Sequence, residues 1–144
     1  MYKTILVPLD GSETAEAVLP HVFNLAKSEG AEIVLLTVAA DAVAAFTFGD
    51  PALAEEFIET QGSAAQKYLS SLQESLTVEG YKVSTIIREG AVHTAIVDVS
   101  KEIKADIIAM STHARRGVAH LFLGSVAEKV VRRSDIPIML IRPK

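Results

Sequence analysis

The stretch that decides the fold is Ile107–Arg133, IIAMSTHARRGVAHLFLGSVAEKVVRR. It begins as an apolar run, breaks into a polar loop that carries Arg115 and Arg116, and restarts as a helix at Gly124-Ser125. The N–H groups at a helix N-terminus point outward, and the helix dipole favours negative charge there. A strand, a basic loop and a Gly-Ser helix start in this order predict a phosphate-binding site.

The remainder of the chain alternates between apolar runs of strand length and segments with helical spacing. The predicted strands are Lys3–Leu9, Ala31–Ala39, Tyr81–Arg88, Ala105–Met110 and Ile136–Ile141. The predicted helices lie between Ser12 and Gly30 and over Ala52–Glu79, Val92–Ile103 and Ser125–Ser134. Pro20 predicts a kink in the first helix rather than two helices, and residues 40–51 are interpreted as a loop or lid.

Strands that alternate with helices require right-handed crossovers and a parallel sheet that is covered on both sides. The sequence therefore predicts an α/β fold with a five-stranded parallel doubly wound sheet, order 3-2-1-4-5, and helices on both faces. We expect residues 1–144 to form a single Rossmann-like domain. In this strand order the winding reverses between the first and fourth strands, and ligands bind beyond the carboxyl ends of the strands at that point.

Asp10 follows the first strand and is expected at this switch point, opposite the phosphate-binding stretch. Its carboxylate could accept from a ribose hydroxyl or hold a metal ion through water. An Asp at this position could equally start a turn and help to cap the next helix. Asp10 alone does not decide between these two interpretations.

Composition excludes several classes of protein. The formal charge of −4 argues against general nucleic-acid binding, and the absence of cysteine excludes disulfides and thiolate metal sites. No apolar run is long enough to span a membrane, and the N-terminus lacks the pattern of a signal peptide. We expect a soluble cytoplasmic protein with no nucleic-acid or membrane partner.

Familiar catalytic and nucleotide motifs are missing. Neither the P-loop nor the dinucleotide fingerprint is present, and the four histidines share no metal-ligand spacing, so no protein-held metal is predicted. Ser125 lacks the context of a nucleophile elbow and is interpreted as a helix cap or a hydroxyl that contacts phosphate. No catalytic residue is predicted.

Three segments, ILVPLDGSETAEAVLPH, ADIIAMSTHARRG and LGSVAEKVVRRSDIPIMLIRP, resemble the universal stress protein family, and the order of the elements agrees over the whole chain. The nucleotide-binding branch of that family carries G-x-x-G, nine residues, then G-[ST]. Here the frame reads Ser111-Thr112-His113-Ala114, nine residues, then Gly124-Ser125. The spacing and the second half of the motif are intact, whereas both glycines of the first half are replaced.

The resemblance implies a homodimeric, ATP-binding stress-response protein. By position in the family frame, Pro8 and Asp10 would line the adenine and ribose side, Val38 would offer backbone groups to the adenine edge, and Met110 and Ser111 would lie beneath the nucleoside. The phosphates, with Mg²⁺ or Mn²⁺, would be held by Ala114, Arg115, Gly124, Ser125 and Val126. The implied dimer forms through Ile136–Ile141, and the sequence agrees, because an apolar strand at a sheet edge invites pairing.

The two replaced glycines make the affinity for ATP an open question. Glycine allows close backbone approach and positive φ; if position 114 needs a left-handed conformation, alanine costs about 1–2 kcal/mol, roughly tenfold or more in affinity. Ser111 adds a hydroxyl that could bond the ligand instead. The alternatives to an ATP-binding regulator are a dimeric interaction module that has lost nucleotide binding, and a slow ATPase or phosphotransferase.

Overall fold

The computed structural model describes residues 1–39, 49–112 and 123–143. The strands are β1 (Thr4–Pro8), β2 (Glu32–Ala39), β3 (Val83–Glu89), β4 (Ile107–Ser111) and β5 (Ile138–Ile141). The helices are α1 (Glu13–Glu16), α2 (Leu19–Glu29), α3 (Pro51–Val78), α4 (Val92–Glu102) and α5 (Ser125–Arg133).

The strands form one parallel sheet in the order β3-β2-β1-β4-β5. The predicted α/β fold and the predicted strand order are therefore confirmed. The central strands β1, β2 and β4 carry long apolar runs because helices cover both of their faces. Side chains on one face pack against α1, α2 and α3, and those on the other face pack against α4 and α5.

The segment between Ser12 and Gly30 forms two helices, so the prediction of a single kinked helix was wrong. α1 ends at Glu16 and α2 begins at Leu19, which places Pro20 in the first turn of α2. A proline costs little there, because the first N–H groups of a helix have no intrahelical partner. The missing N–H of Pro20 instead interrupts the hydrogen bonds between the two short helices.

The other boundaries lie within two residues of the predicted ones, and at β5 the reason for the difference is visible. The strand begins at Ile138 instead of Ile136, because the Ser134 hydroxyl accepts from the N–H of Ile136 and donates to its carbonyl. This local turn holds Ile136 out of the sheet. Of the predicted loop or lid, residues 40–48 lie outside the described residues, and Asp50 caps the N-terminus of α3.

None of the helices that the structure describes is long and apolar enough to cross a membrane.

Candidate nucleotide-binding site

A cavity of about 350 Å³ opens at the carboxyl ends of β1, β2 and β4, where the winding of the sheet reverses. Residues from both faces of the sheet line it. The lining residues are Pro8, Leu9, Asp10, Ala15, Leu36, Val38, Val92, Ile96, Met110, Ser111, Gly124, Ser125, Val126 and Ala127. The cavity therefore lies at the position where doubly wound sheets bind their ligands.

Most of the residues predicted to contact a ligand meet in this cavity. They are Pro8, Asp10, Val38, Met110, Ser111, Gly124, Ser125 and Val126. Two further predicted contacts, Ala114 and Arg115, lie outside the described residues. The structure thus brings together both ends of the predicted constellation, which are more than a hundred positions apart in the chain.

The sequence interpretation missed six lining residues: Leu9, Ala15, Leu36, Val92, Ile96 and Ala127. Those in the strands and in the helix interiors are ordinary apolar residues, and their spacing predicts burial in the core but does not distinguish a cavity wall from the rest of the core. The position of Val92 could have been predicted from the sequence, because it is the first residue of the helix that follows β3. The βαβ pattern places that helix N-terminus at the same end of the sheet as Asp10.

Buried apolar side chains form the floor of the cavity. Leu36 and Ile96 are fully buried, and Met110 is nearly so. These residues pack with Val38 and Ala127 in the core on the α4 and α5 face of the sheet. A floor of this kind suits a flat, largely apolar ring rather than a charged group.

Two helix N-termini meet at the rim of the cavity. α4 begins at Val92 after Ala91, and α5 begins at Ser125 after Gly124. Neither Ala91 nor Gly124 has a side chain that can accept the first N–H groups of its helix, whereas most helices use Ser, Thr, Asp or Asn for that purpose. Both helix dipoles therefore present uncapped N–H groups and partial positive charge to an anion in the cavity.

Among the described residues that line the cavity, Asp10 is the one with a negatively charged side chain. Its Oδ1 atom accepts from the Ser12 N–H at 2.9 Å and from the Ser12 hydroxyl at 2.5 Å. Gly11 adopts a φ of +87°, which lets the chain turn back on itself between the two residues. The carboxylate is thus held in one orientation at the end of β1, as a contact to a sugar hydroxyl requires.

The Ser111 hydroxyl, which the sequence offered as a possible contact to the ligand, is engaged within the protein. It donates to the Ala15 carbonyl at 3.1 Å, on the α1 face of the sheet, and the residue is buried. Side chains alternate along a strand, so the neighbouring Met110 points to the cavity floor while Ser111 points away from it. Replacing glycine with serine at this position therefore leaves the floor unobstructed.

A second cavity of about 400 Å³ lies between β2 and α3, and Asp10 and Val38 belong to the walls of both cavities. The Tyr68 hydroxyl in its wall is buried and makes no hydrogen bond of good geometry to a described residue. Burial raises the pKa of Tyr68, and the nearby carboxylates of Glu16 and Asp10 raise it further. Tyr68 is therefore protonated at every physiological pH.

Within the described ranges, no cluster of three or more Asp, Glu or His side chains is arranged to hold a metal ion. A divalent cation in the first cavity would therefore depend on oxygen atoms of its ligand, with Asp10 as the acidic side chain in the described wall. This matches the chemistry of Mg²⁺, which keeps several waters and binds nucleotides through one or two carboxylates and the phosphates.

The fold and the cavity together define a class of protein: an α/β fold with a cavity at the switch point of a doubly wound parallel sheet. The sequence model of the universal stress protein family matches residues 1–142. The chain therefore belongs to the universal stress protein family.

Known members agree with this assignment. Universal stress protein MJ0577 of Methanocaldococcus jannaschii is 30% identical over 157 aligned positions, which cover 100% of this chain and 97% of that protein. Its solved structure superposes with a TM-score of 0.85, covering 100% of this chain and 98% of that one.

Two more distant structures share the fold and hold nucleotides. One is a universal stress protein in complex with cAMP, with a TM-score of 0.73 and 20% identity over 99% of this chain and 98% of that one. The other is a family member from Arabidopsis thaliana with AMP bound, with a TM-score of 0.70 and 15% identity over 99% and 92% of the two chains.

Proposed function

We propose that this universal stress protein binds ATP in the cavity at the switch point and acts as a nucleotide-responsive regulator in the cytoplasm, where ATP is abundant. One observation carries the proposal. A single cavity combines an apolar floor, an oriented carboxylate and two uncapped helix N-termini. These three features match the base, the sugar and the phosphates of a nucleotide in turn.

The proposed pose follows from the chemistry of the wall. The adenine ring lies on the apolar floor between Pro8 and Met110, and the Val38 main chain meets its polar edge. The ribose hydroxyls donate to the Asp10 carboxylate. The phosphates face the start of α5 at Gly124-Ser125-Val126, with Ala114 and Arg115 as further predicted contacts and Mg²⁺ or Mn²⁺ held by the phosphates.

Gly124 supports the phosphate end of this pose. Its φ of 96° and ψ of 149° lie in a region that is open essentially to glycine alone. A residue without a side chain at the start of α5 also lets phosphate oxygens approach the main chain closely. The nucleotides held by the cAMP- and AMP-bound relatives further support an adenine nucleotide as the ligand.

Calorimetric titration with ATP and Mg²⁺ tests the proposal, and titrations with adenosine and with inorganic tripolyphosphate show which half of the ligand contributes. We expect ATP to bind more tightly than either fragment, because the floor and the helix N-termini act on different parts of it. No heat with ATP at millimolar concentration would overturn the proposal.

A second candidate function is a dimeric interaction module that has lost nucleotide binding. The observation in its favour is the edge strand β5, whose apolar residues are only half-buried. If this is the function, the parent binds no nucleotide, and the double change Ser111→Gly with Ala114→Gly creates binding. ATP binding by the unchanged protein would contradict this alternative.

A further inference from the structure

The main chain of Ala15 is held from two sides by serine hydroxyls. The Ser12 hydroxyl oxygen accepts from the Ala15 N–H at 3.1 Å, and the Ser111 hydroxyl donates to the Ala15 carbonyl at 3.1 Å. The Ser12 hydroxyl in turn donates to Asp10 Oδ1 at 2.5 Å. A series of hydrogen bonds therefore runs from the end of β4, through α1, to the carboxylate at the end of β1.

We infer that Ser111 is a positioning residue for the nucleotide site: through Ala15 and Ser12 it fixes the orientation of the Asp10 carboxylate. This inference rests on the proposed function, since it assigns a role at the same cavity. Ser111 borders the cavity, but its hydroxyl donates to the Ala15 carbonyl on the opposite face of β4 from the cavity floor, so its effect on Asp10 runs through α1.

The shortness of α1 explains why this bond matters. α1 has only four residues, and a helix of one turn has too few internal hydrogen bonds to hold its own place. Its position must therefore come from contacts with the rest of the protein. The bond from Ser111 is shielded from water, since Ser111 is 5% exposed, and a shielded hydrogen bond is stronger than one in contact with solvent.

The Ser12 side chain links the position of α1 to the orientation of the Asp10 carboxylate. Its hydroxyl oxygen is an acceptor for Ala15 and its hydroxyl proton is given to Asp10, so both hydrogen-bonding directions of one group are used. If α1 shifts, Ser12 cannot keep both bonds at good geometry. The orientation of the carboxylate then broadens, and a sugar hydroxyl meets it less often in the correct direction.

A consequence follows for the glycine motif that this chain lacks. The family motif carries glycine at position 111, and glycine has no hydroxyl with which to hold Ala15. Restoring the motif at this position should therefore weaken binding here, whereas a view based on the motif alone expects glycine to improve it. The two views therefore predict opposite changes in ATP affinity for Ser111→Gly.

The test compares ATP affinities of the parent, Ser111→Ala and Ser111→Gly by calorimetry with Mg²⁺. We expect both variants to bind roughly two- to tenfold more weakly, the range that one lost hydrogen bond produces. Ser111→Ala keeps the Cβ atom and Ser111→Gly removes it, so a loss shared by both belongs to the hydroxyl. Tighter binding by Ser111→Gly, with no change in Ser111→Ala, would overturn the inference.

A matched control separates positioning from general loss of stability. Ser100 in α4 is also 5% exposed and also donates its hydroxyl to a main-chain carbonyl, that of Val97, at 2.7 Å. It does not line the cavity. Ser100→Ala should lower the thermal unfolding temperature as Ser111→Ala does while leaving ATP affinity unchanged. An equal loss of affinity in Ser100→Ala would overturn the inference.

The Asp10→Ala background supplies the decisive readout. The series of bonds ends on the Asp10 carboxylate, so Ser111→Ala should cause no further loss of ATP affinity once Asp10 is alanine. If Ser111→Ala lowers ATP affinity in that background by the same factor as in the parent, Ser111 acts by another route and the inference is wrong.

The same measurements distinguish failure of the proposed function from failure of the inference. A parent that binds no ATP would overturn both. A parent that binds ATP, with a Ser111→Ala variant that binds it equally well, would overturn the inference alone.

Discussion

Asp10 carries the only titratable side chain among the described residues that line the cavity at the switch point. An asparagine at this position keeps the oxygen that accepts from the Ser12 N–H but loses the charge. Asp10→Asn therefore isolates the charged contact to the ribose from the turn that holds it. We expect Asp10→Asn to weaken ATP binding by about tenfold, the difference between a charged and a neutral hydrogen bond.

Calorimetry of the purified variant measures this effect, and Asp135→Asn is a suitable control because Asp135 is exposed and does not line the cavity. The control should bind as the parent does. If Asp10→Asn binds ATP as tightly as the parent or more tightly, the carboxylate repels the phosphates rather than holding the sugar, and the proposed pose is wrong.

Asp106 acts at the opposite end of the sheet and makes stability depend on pH. Its carboxylate accepts from the N–H groups of Lys3 at 2.8 Å and Thr4 at 2.9 Å. These two bonds are the main reason that the pKa of Asp106 lies below its ordinary value, with the charges of Lys3 and the N-terminus adding to them. The ionised carboxylate thus fastens the start of β1 to the start of β4.

Because the folded state lowers this pKa, the contribution of Asp106 to stability is present above the unfolded-state pKa, near 3.9, and is lost as the pH falls through the folded-state value. Asp106→Ala should therefore be less stable than the parent at pH 7, and the difference should shrink progressively below about pH 4. Urea unfolding of both proteins at a series of pH values measures this difference in the free energy of unfolding. A difference that stays constant down to pH 2 would contradict the role of the charge.

Among the elements, α3 is anchored unevenly along its length. Its buried residues, Ala65, Leu69 and Leu76, all lie in the second half of the helix, where the Gln73 amide also donates to the Val83 carbonyl of β3. Leu53, in the first turn, is 51% exposed. We infer that the second half of α3 carries most of its packing energy.

Leu69→Ala should lower the free energy of unfolding by about 2–5 kcal/mol, as expected for a leucine removed from a packed core. Leu53→Ala, the same change on the same helix, should have an effect within about 0.5 kcal/mol. Urea unfolding of the two variants beside the parent measures both values. Equal losses would mean that the first half of α3 is packed as firmly as the second.

The helical break at Pro20 shows where pattern alone misleads. Apolar residues keep a period of 3.6 from Ala15 to Leu25, and this period is unchanged whether the chain forms one kinked helix or two short ones. The choice depends on hydrogen bonds, which a side-chain pattern does not report. The break is informative, because it leaves α1 as a separate turn that Ser12 and Ser111 must hold in place.

At the scale of the whole molecule, the order of the elements was sufficient to predict the sheet. Alternation of strands and helices fixes parallel pairing and the handedness of crossovers, and these two rules are sufficient to predict that Asp10 lies near Gly124-Ser125. The start of the helix at Val92 was predicted, but its place in the cavity wall was missed, because neither Ala91 nor Val92 has a polar side chain that would indicate a ligand contact. The partner of Ser111 was missed because a contact across 96 positions depends on packing that no local pattern encodes.

The edge strand β5 presents main-chain groups that have no partner strand among the described residues. Pro137 and Ile141 direct their carbonyls to β4, and alternate residues of a strand direct their main-chain groups to opposite sides. Ile138 and Leu140 therefore direct theirs outward, at a half-buried apolar edge. An edge of this kind is a template for pairing with another chain, and we propose that a second copy of this protein occupies it.

Leu140→Lys should convert the proposed dimer to a monomer, because a charge at the edge opposes pairing. Ile86→Lys is the matched control: Ile86 is also half-buried and packs against the same core cluster, but it lies on β3 at the other edge of the sheet. Sedimentation velocity at micromolar concentration should find a dimer for the parent and for Ile86→Lys, and a monomer for Leu140→Lys. A monomeric parent, or dissociation by Ile86→Lys alone, would show that β5 is not the contact.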